Sequence, residues 1–253
     1  MNQSSRGSLP EKNNPTASRS GMLLFLLIAQ TASIPNAVFP AVRSPVVDSA
    51  MSIAQAFDGI NPECPAEIRD RQTLVEVLYY SMDHQIHRGQ VVIDRELALD
   101  IKKAFKFALK NRFPIYSVVP ISDPRFRKDG LWDDELSMES DNTSAFNYRP
   151  ATGSSQLSNH AYGRAIDINP FLNPYMKNTV ILPTSAKYDS SVPGTFTGDS
   201  PVVRRFKSLG WTWGGEWTSL KDYQHFEKPR QSPALQPLLL PGDSAIWIGL
   251  LGD

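Results

Sequence analysis

The sequence predicts an α+β fold, a small antiparallel sheet with helices packed against it. Three observations carry this. Strand-like runs outnumber helix-like ones and do not alternate with them regularly. Two runs rich in β-branched and aromatic residues, Leu74–Tyr80 and Gly89–Ile93, flank a polar stretch and read as a hairpin. One segment shows a clean helical period, with Leu97, Ile101, Ala104, Phe105 and Ala108 on a single face.

The elements follow in chain order. Asp94 stands where an N-cap is needed, Lys102, Lys103, Lys106 and Lys110 fall mostly off the apolar face, and Pro114 stops the helix. Ile115–Ile121 is a third strand candidate. Residues 123–150 are polar and irregular, and the acidic cluster Asp133, Asp134 and Glu135 reads as a solvated helix turn. A second helix is bracketed by Ser200 as cap, Pro201 at the first helical position and Gly210 just past the end.

The flanks differ in character. Residues 1–20 carry Arg6, Lys12 and Arg19 against one acid, Glu11, and are followed by the apolar run Met22–Ala29 and the small residues Ala32, Ser33 and Ala37. This order of basic region, short apolar core and small-residue zone reads as a secretory signal over 1–37, and the alternatives are an uncleaved anchor or a packed helix. Export to a secreted, periplasmic or cell-wall location follows as an expectation, with no membrane span in the mature chain. Residues 38–69 are expected to be a linker or surface arm, 70–228 the folded domain and 229–253 an irregular tail.

Composition narrows the function. Basic and acidic residues number 26 each, so nothing drives the chain onto phosphate backbones and no nucleic-acid partner is expected. A single cysteine, Cys64, excludes an internal disulfide framework and a cysteine-based zinc knuckle. Between Pro62 and Pro65 it reads as an inert loop thiol. The S-x-x-K nucleophile, the G-x-S-x-G elbow and H-E-x-x-H are all missing from the sequence.

Two stretches remain in which chemistry-bearing residues gather: Ser158-Asn159-His160-Ala161-Tyr162-Gly163-Arg164-Ala165-Ile166-Asp167, and Trp213-Gly214-Gly215-Glu216-Trp217 followed by Asp222-Tyr223-Gln224-His225-Phe226-Glu227. Asp167 lies among apolar neighbours, where a carboxylate is expensive to bury unless a cation meets it. Gly163 offers a turn that lets His160 and Asp167 converge. Two imidazoles and a carboxylate suit zinc, which leaves a fourth position open in catalytic sites and brings the pKa of water there to about 7. Asp222, three residues before His225, is placed to move protons. By spacing alone each pattern is weak, and a lone histidine is more often a surface or core residue than a ligand.

These two stretches resemble the motifs of the M15 family of zinc peptidases, the D-alanyl-D-alanine carboxypeptidase and L-alanyl-D-glutamate endopeptidase group, and look closest to its endolysin-like branch. The resemblance spans roughly residues 70–228 and implies the fold shared by Hedgehog domains and D-Ala-D-Ala peptidases. It implies His160, Asp167 and His225 as ligands to Zn2+ and Asp222 as general base and acid. Ser158 resembles the family serine that binds polar groups of the substrate. Arg149 resembles the family arginine upstream of the first histidine, where a guanidinium can stabilise an oxyanion. For Arg149 a surface ion pair, and for Ser158 a plain turn serine, stand as alternatives.

The function so implied is hydrolysis of peptide bonds in peptidoglycan stem peptides by a monomer, with L-Ala–D-Glu favoured over D-Ala–D-Ala as the bond. The alternative is a zinc-stabilised binding module without turnover, which has no need of Asp222. Other residues carry weaker signals. His84 and His87 read as a solvated turn. Trp211, Trp213 and Trp217 serve either core or cleft wall. Glu216 and Glu227 are possible partners that orient a ligand, with a strand at 225–227 setting His225 and Glu227 on one face.

Overall fold

The computed structural model describes residues 44–230; the expected signal over 1–37 and the tail beyond Arg230 lie outside the described residues. The described chain opens with β1 (Val46–Val47) and α1 (Ala66–Arg69). From residue 44 on, the stretch expected to be a linker or arm packs against the body. β1 pairs in parallel with a later strand at His87 and Arg88, and Ala56 is buried with Val92 and Phe146. Phe57, Ile60 and Ile68 pack on the same cluster. Proline and alanine richness hid these well-spaced apolar anchors.

The hairpin forms as the sequence predicts. β2 (Gln72–Tyr80) and β3 (Ile86–Asp94) pair antiparallel from Gln72 opposite Asp94 to Tyr80 opposite Ile86. Alternation turns Val75, Val77, Tyr79, Val91 and Ile93 to one face, where Ile101, Ala104, Phe105 and Ala108 of α2 (Ala98–Lys110) cover them. Val92 points the other way, toward Phe146, so β3 is buried on both faces. Asp94 ends the strand and caps the following turn, its Oδ1 accepting from the Glu96 amide at 2.9 Å.

The strand expected over 115–121 shrinks to β4 (Ser117–Val118). Pro114 and Pro120 bracket it and donate no ladder hydrogen bonds. The Asn142 side chain does that work instead, accepting from the Val119 amide at 3.0 Å and donating to the Val119 carbonyl at 2.8 Å. A short hairpin of β5 (Arg127–Lys128) and β6 (Leu131–Trp132) leads to α3 (Asp134–Glu139) and β7 (Asn142–Thr143), which runs parallel to β4. Asp133 caps α3 by accepting from the Leu136 amide at 3.0 Å.

Six strands and a helix make up the rest. β8 (Ala165–Asp167), β9 (Tyr175–Lys177) and β10 (Val180–Leu182) precede α4 (Pro201–Ser208), and β11 (Thr212–Trp213), β12 (Lys221–Asp222) and β13 (His225–Glu227) follow it. They form two antiparallel sheets, ordered β11-β13-β8 and β10-β9-β12. The architecture is α+β, with three three-stranded and two two-stranded sheets among the described residues where one sheet was expected. α4 begins at Pro201, and Gly210 follows its end at φ +85°, as expected. The Ser200 hydroxyl, however, accepts from the Thr197 amide at 2.8 Å and caps no helix amide. No helix among the described residues is long and apolar enough to cross a membrane.

Candidate active site

The cleft is built on β8 and β13. Their register sets His225 directly opposite Asp167, Phe226 opposite Ile166 and Glu227 opposite Ala165. Alternation then sorts the side chains. Phe226 and Ile166 are fully buried in the core, and Phe226 stacks on Phe206 with ring centres 4.3 Å apart. His225, Glu227 and Asp167 face the other way and line a common pocket.

His160 arrives from a different element. Ser158 opens a tight 3-10 turn over Asn159–Tyr162, its hydroxyl accepting from the His160 amide at 3.2 Å. Gly163 ends the turn at φ +62°. A Cβ there would lie 1.9 Å from Gln72 Oε1 and 2.7 Å from the Asp94 amide nitrogen, so only glycine lets the chain turn this tightly into β8. Behind it, Asp94 is fully buried and meets Arg71 at 3.2 Å, Arg230 at 3.3 Å and Arg164 at 3.7 Å.

Three donor atoms converge. His160 Nε2 is 3.2 Å from His225 Nδ1 and 3.1 Å from Asp167 Oδ2, and His225 Nδ1 is 3.0 Å from Asp167 Oδ1. All three residues are buried, and their ligand atoms lie within 4.8 Å of one another. The far ring nitrogens are engaged elsewhere. His160 Nδ1 donates to the Ala145 carbonyl at 2.5 Å; a carbonyl only accepts, so the lone pair is left on Nε2, facing the other two. His225 Nε2 lies 3.0 Å from Glu227 Oε2. Two imidazoles held from behind and a carboxylate, all turned toward one another, fit a divalent metal of zinc type.

Electrostatics point the same way. Burial works against the Asp167 carboxylate, yet His160 and His225 beside it hold it well below the usual carboxylate range. Burial likewise opposes charge on His225, but its hydrogen bonds to Asp167 and Glu227 outweigh this and hold it up at about 10. A dense negative environment that raises an imidazole so far also attracts a cation.

Asp222 lines the same pocket from β12. Its Oδ1 is out of water and has no hydrogen-bond partner. Burial pushes it up to about 7, His225 pulls it down and Asp167 adds to the rise. A carboxyl poised near neutrality in a cleft is suited to proton transfer.

Residues 152–228 match the family model of the D-alanyl-D-alanine carboxypeptidases of peptidase family M15. The M15 match supports a peptidase and takes in His160, Asp167, Asp222 and His225 together. It begins after Arg149 and covers less of the chain than the 70–228 resemblance. No solved structure matches the chain.

The other expected residues fall as follows. Arg149 lines the cleft, but its Nη2 pairs with Asp134 at 2.7 Å and its Nη1 donates to the Pro150 carbonyl at 3.1 Å. Its Nε is out of water and without a partner. Ser158 also lines the cleft while capping the His160 turn. Trp217 stands beside His225, ring centres 5.3 Å apart, whereas Trp211 and Trp213 are core residues. Glu216 pairs with Lys207 at 2.6 Å and is no partner of a ligand. His87 sits between Asp48 and Asp83 at 2.8 and 3.0 Å, and His84 bonds the Tyr80 hydroxyl at 2.8 Å, away from the cleft. Cys64 is half-buried in its loop, and burial pushes the thiol up.

Sequence reasoning passed over Asp134, read as part of a solvated turn. It holds both Arg149 and Asn147, the latter at 3.1 Å. It passed over Asn159 and Gln224, and Lys177 and Tyr175 of β9, which also line the cleft. Only the adjacency of Asn159 and Gln224 to His160 and His225 was visible beforehand.

Proposed function

We propose that the protein is an exported zinc peptidase that hydrolyses peptide bonds in peptidoglycan stem peptides, L-Ala–D-Glu before D-Ala–D-Ala. The observation that carries this reading is the meeting of His160, Asp167 and His225 with Asp222 in one cleft. The family match over the same residues supports it, as does the signal-like run over Met22–Ala29 for export.

His160, Asp167 and His225 would hold the ion. Zinc in such a site supplies Lewis-acid polarisation of a carbonyl and activation of water. The chain's own residues do the rest. Asp222, raised by burial and drawn back toward its carboxylate form when a cation is bound beside it, accepts a proton from the attacking water and delivers it to the leaving amine. Arg149, anchored by Asp134, lines the cleft and brings its guanidinium charge near negative charge developing on the substrate. Trp217 shields His225 from water on one side. Ser158 keeps the His160 turn closed and presents its hydroxyl to the cleft. The fold shared by Hedgehog domains and D-Ala-D-Ala peptidases is part of the same reading.

A binding module that keeps zinc without turnover is the second reading. The raised Asp222 carboxyl argues against it, because a scaffold gains nothing from burying an acid with one oxygen left without a partner. Asp222→Ala separates the two. We expect it to retain one zinc per chain and lose peptide cleavage by about 100-fold or more. Unchanged turnover would remove the assigned role.

A further inference from the structure

Two of the three ligand-bearing elements, the turn of His160 and the strand of His225, meet on the same carboxylate oxygen. Glu227 Oε2 lies 3.0 Å from His225 Nε2 and accepts from Asn159 Nδ2 at 2.8 Å. Asn159 immediately precedes His160 in the 3-10 turn, and Glu227 follows His225 by two residues on β13. The backbone fixes this meeting. β13 alternation turns Glu227 to the His225 side, and Glu227 is paired with Ala165, two residues from Asp167 on β8.

We propose that Glu227, held in place by Asn159, is a positioning residue that locks His225 as a metal ligand through Nδ1 and ties its ring to the His160 turn. The inference rests on the metal-site reading above and extends it to residues outside the ligand set. A carboxylate only accepts hydrogen bonds, so in the metal-free chain both ring nitrogens of His225 donate, Nδ1 to Asp167 and Nε2 to Glu227; a metal bound at Nδ1 would take the place of that proton, and Glu227 would keep the other on Nε2. The same contact stops the ring from turning over, which would carry Nδ1 away from Asp167 and His160. His160 is locked by the opposite choice: its Nδ1 donates to the Ala145 carbonyl and its Nε2 faces inward. The two histidines thus present different nitrogens, and each requires its own outer acceptor. Only the one for His225 is a side chain that substitution can remove. Lost outer partners of this kind weaken metal binding by about 10–100-fold.

The test measures zinc affinity of the full chain by competition with a chromophoric chelator, for wild type, Glu227→Ala, Glu227→Gln and Asn159→Ala. Glu216→Ala, an exposed acid paired with Lys207, serves as the control. We expect about 10–100-fold weaker zinc binding for Glu227→Ala, a smaller loss for Glu227→Gln, which keeps an acceptor, and a loss in the same direction for Asn159→Ala. Glu216→Ala should bind as wild type does. Long-range proton–nitrogen NMR of the zinc-loaded protein should show His225 protonated at Nε2. A purely structural role for Glu227 would lower the melting temperature and leave the zinc affinity of the folded fraction intact. If Glu227→Ala does not fold, Glu227→Gln and the NMR signature carry the test. Zinc binding within twofold of wild type in both Glu227 variants, or His225 protonated at Nδ1, overturns the proposal. A wild-type chain that binds no zinc defeats the metal-site reading itself, and the two failures are therefore distinct.

Discussion

Replacing Asp222 by Asn should stabilise the metal-free protein, and by an amount that depends on pH. Asp222 has a folded-state pKa of about 7 against an ordinary value of 3.8, chiefly because burial penalises its charge. Between those values the folded chain keeps a proton that the unfolded chain has released. Stability therefore falls as pH rises from about 4 to about 7 and levels off above. The rise from 3.8 to about 7 makes the full penalty about 4 kcal/mol at pH 8, at 1.36 kcal/mol per tenfold change in proton affinity. Asn carries no charge and removes this slope. Denaturant unfolding of wild type and Asp222→Asn in excess chelator, at steps from pH 4 to pH 8, measures it. The variant should match wild type near pH 4 and exceed it by up to about 4 kcal/mol at pH 8. A difference independent of pH would show that Asp222 does not sit protonated in the cleft. Zinc should shrink the difference, because a nearby cation favours the carboxylate.

Two further substitutions probe the frame. Gly163→Ala forces a Cβ against Gln72 and the Asp94 amide at a positive φ; we expect a loss of about 1–3 kcal/mol in unfolding experiments and weaker zinc binding, and a neutral outcome would show that the turn can relax. Phe226→Ala empties the core directly behind His225 and Glu227; unfolding free energy should drop by about 3–5 kcal/mol, and a drop under 1 kcal/mol would mean the aromatic cluster repacks.

The sequence was most readable where one physical signal dominated. The period of Leu97–Ala108 and the β-branched runs at 74–80 and 89–93 gave α2 and the hairpin, because burial on one face writes itself as spacing. The 115–121 segment misled, since its apolar residues are buried with only a two-residue ladder to β7, and the Asn142 side chain satisfies the Val119 backbone beyond it. Residues 44–69 misled in the opposite way, as scattered anchors such as Ala56 leave no period. In the site, His160, Asp167 and His225 were legible through the family resemblance rather than through spacing. What brings them together, the Asp167–His225 register and the Gly163 turn, is tertiary. Asp134 shows the limit most plainly: an acid in an acidic cluster looks solvated until its partner, Arg149, is seen at 2.7 Å.

The most direct measurement is mass spectrometry of muropeptides digested by the purified chain, stripped of metal by chelation and then resupplied with zinc. New products from cleavage within the peptide stem should form, vanish on chelation, return with zinc and stay absent for His160→Ala. Intact muropeptides in every arm, or cleavage that survives both chelation and the loss of His160, would contradict the proposed zinc peptidase.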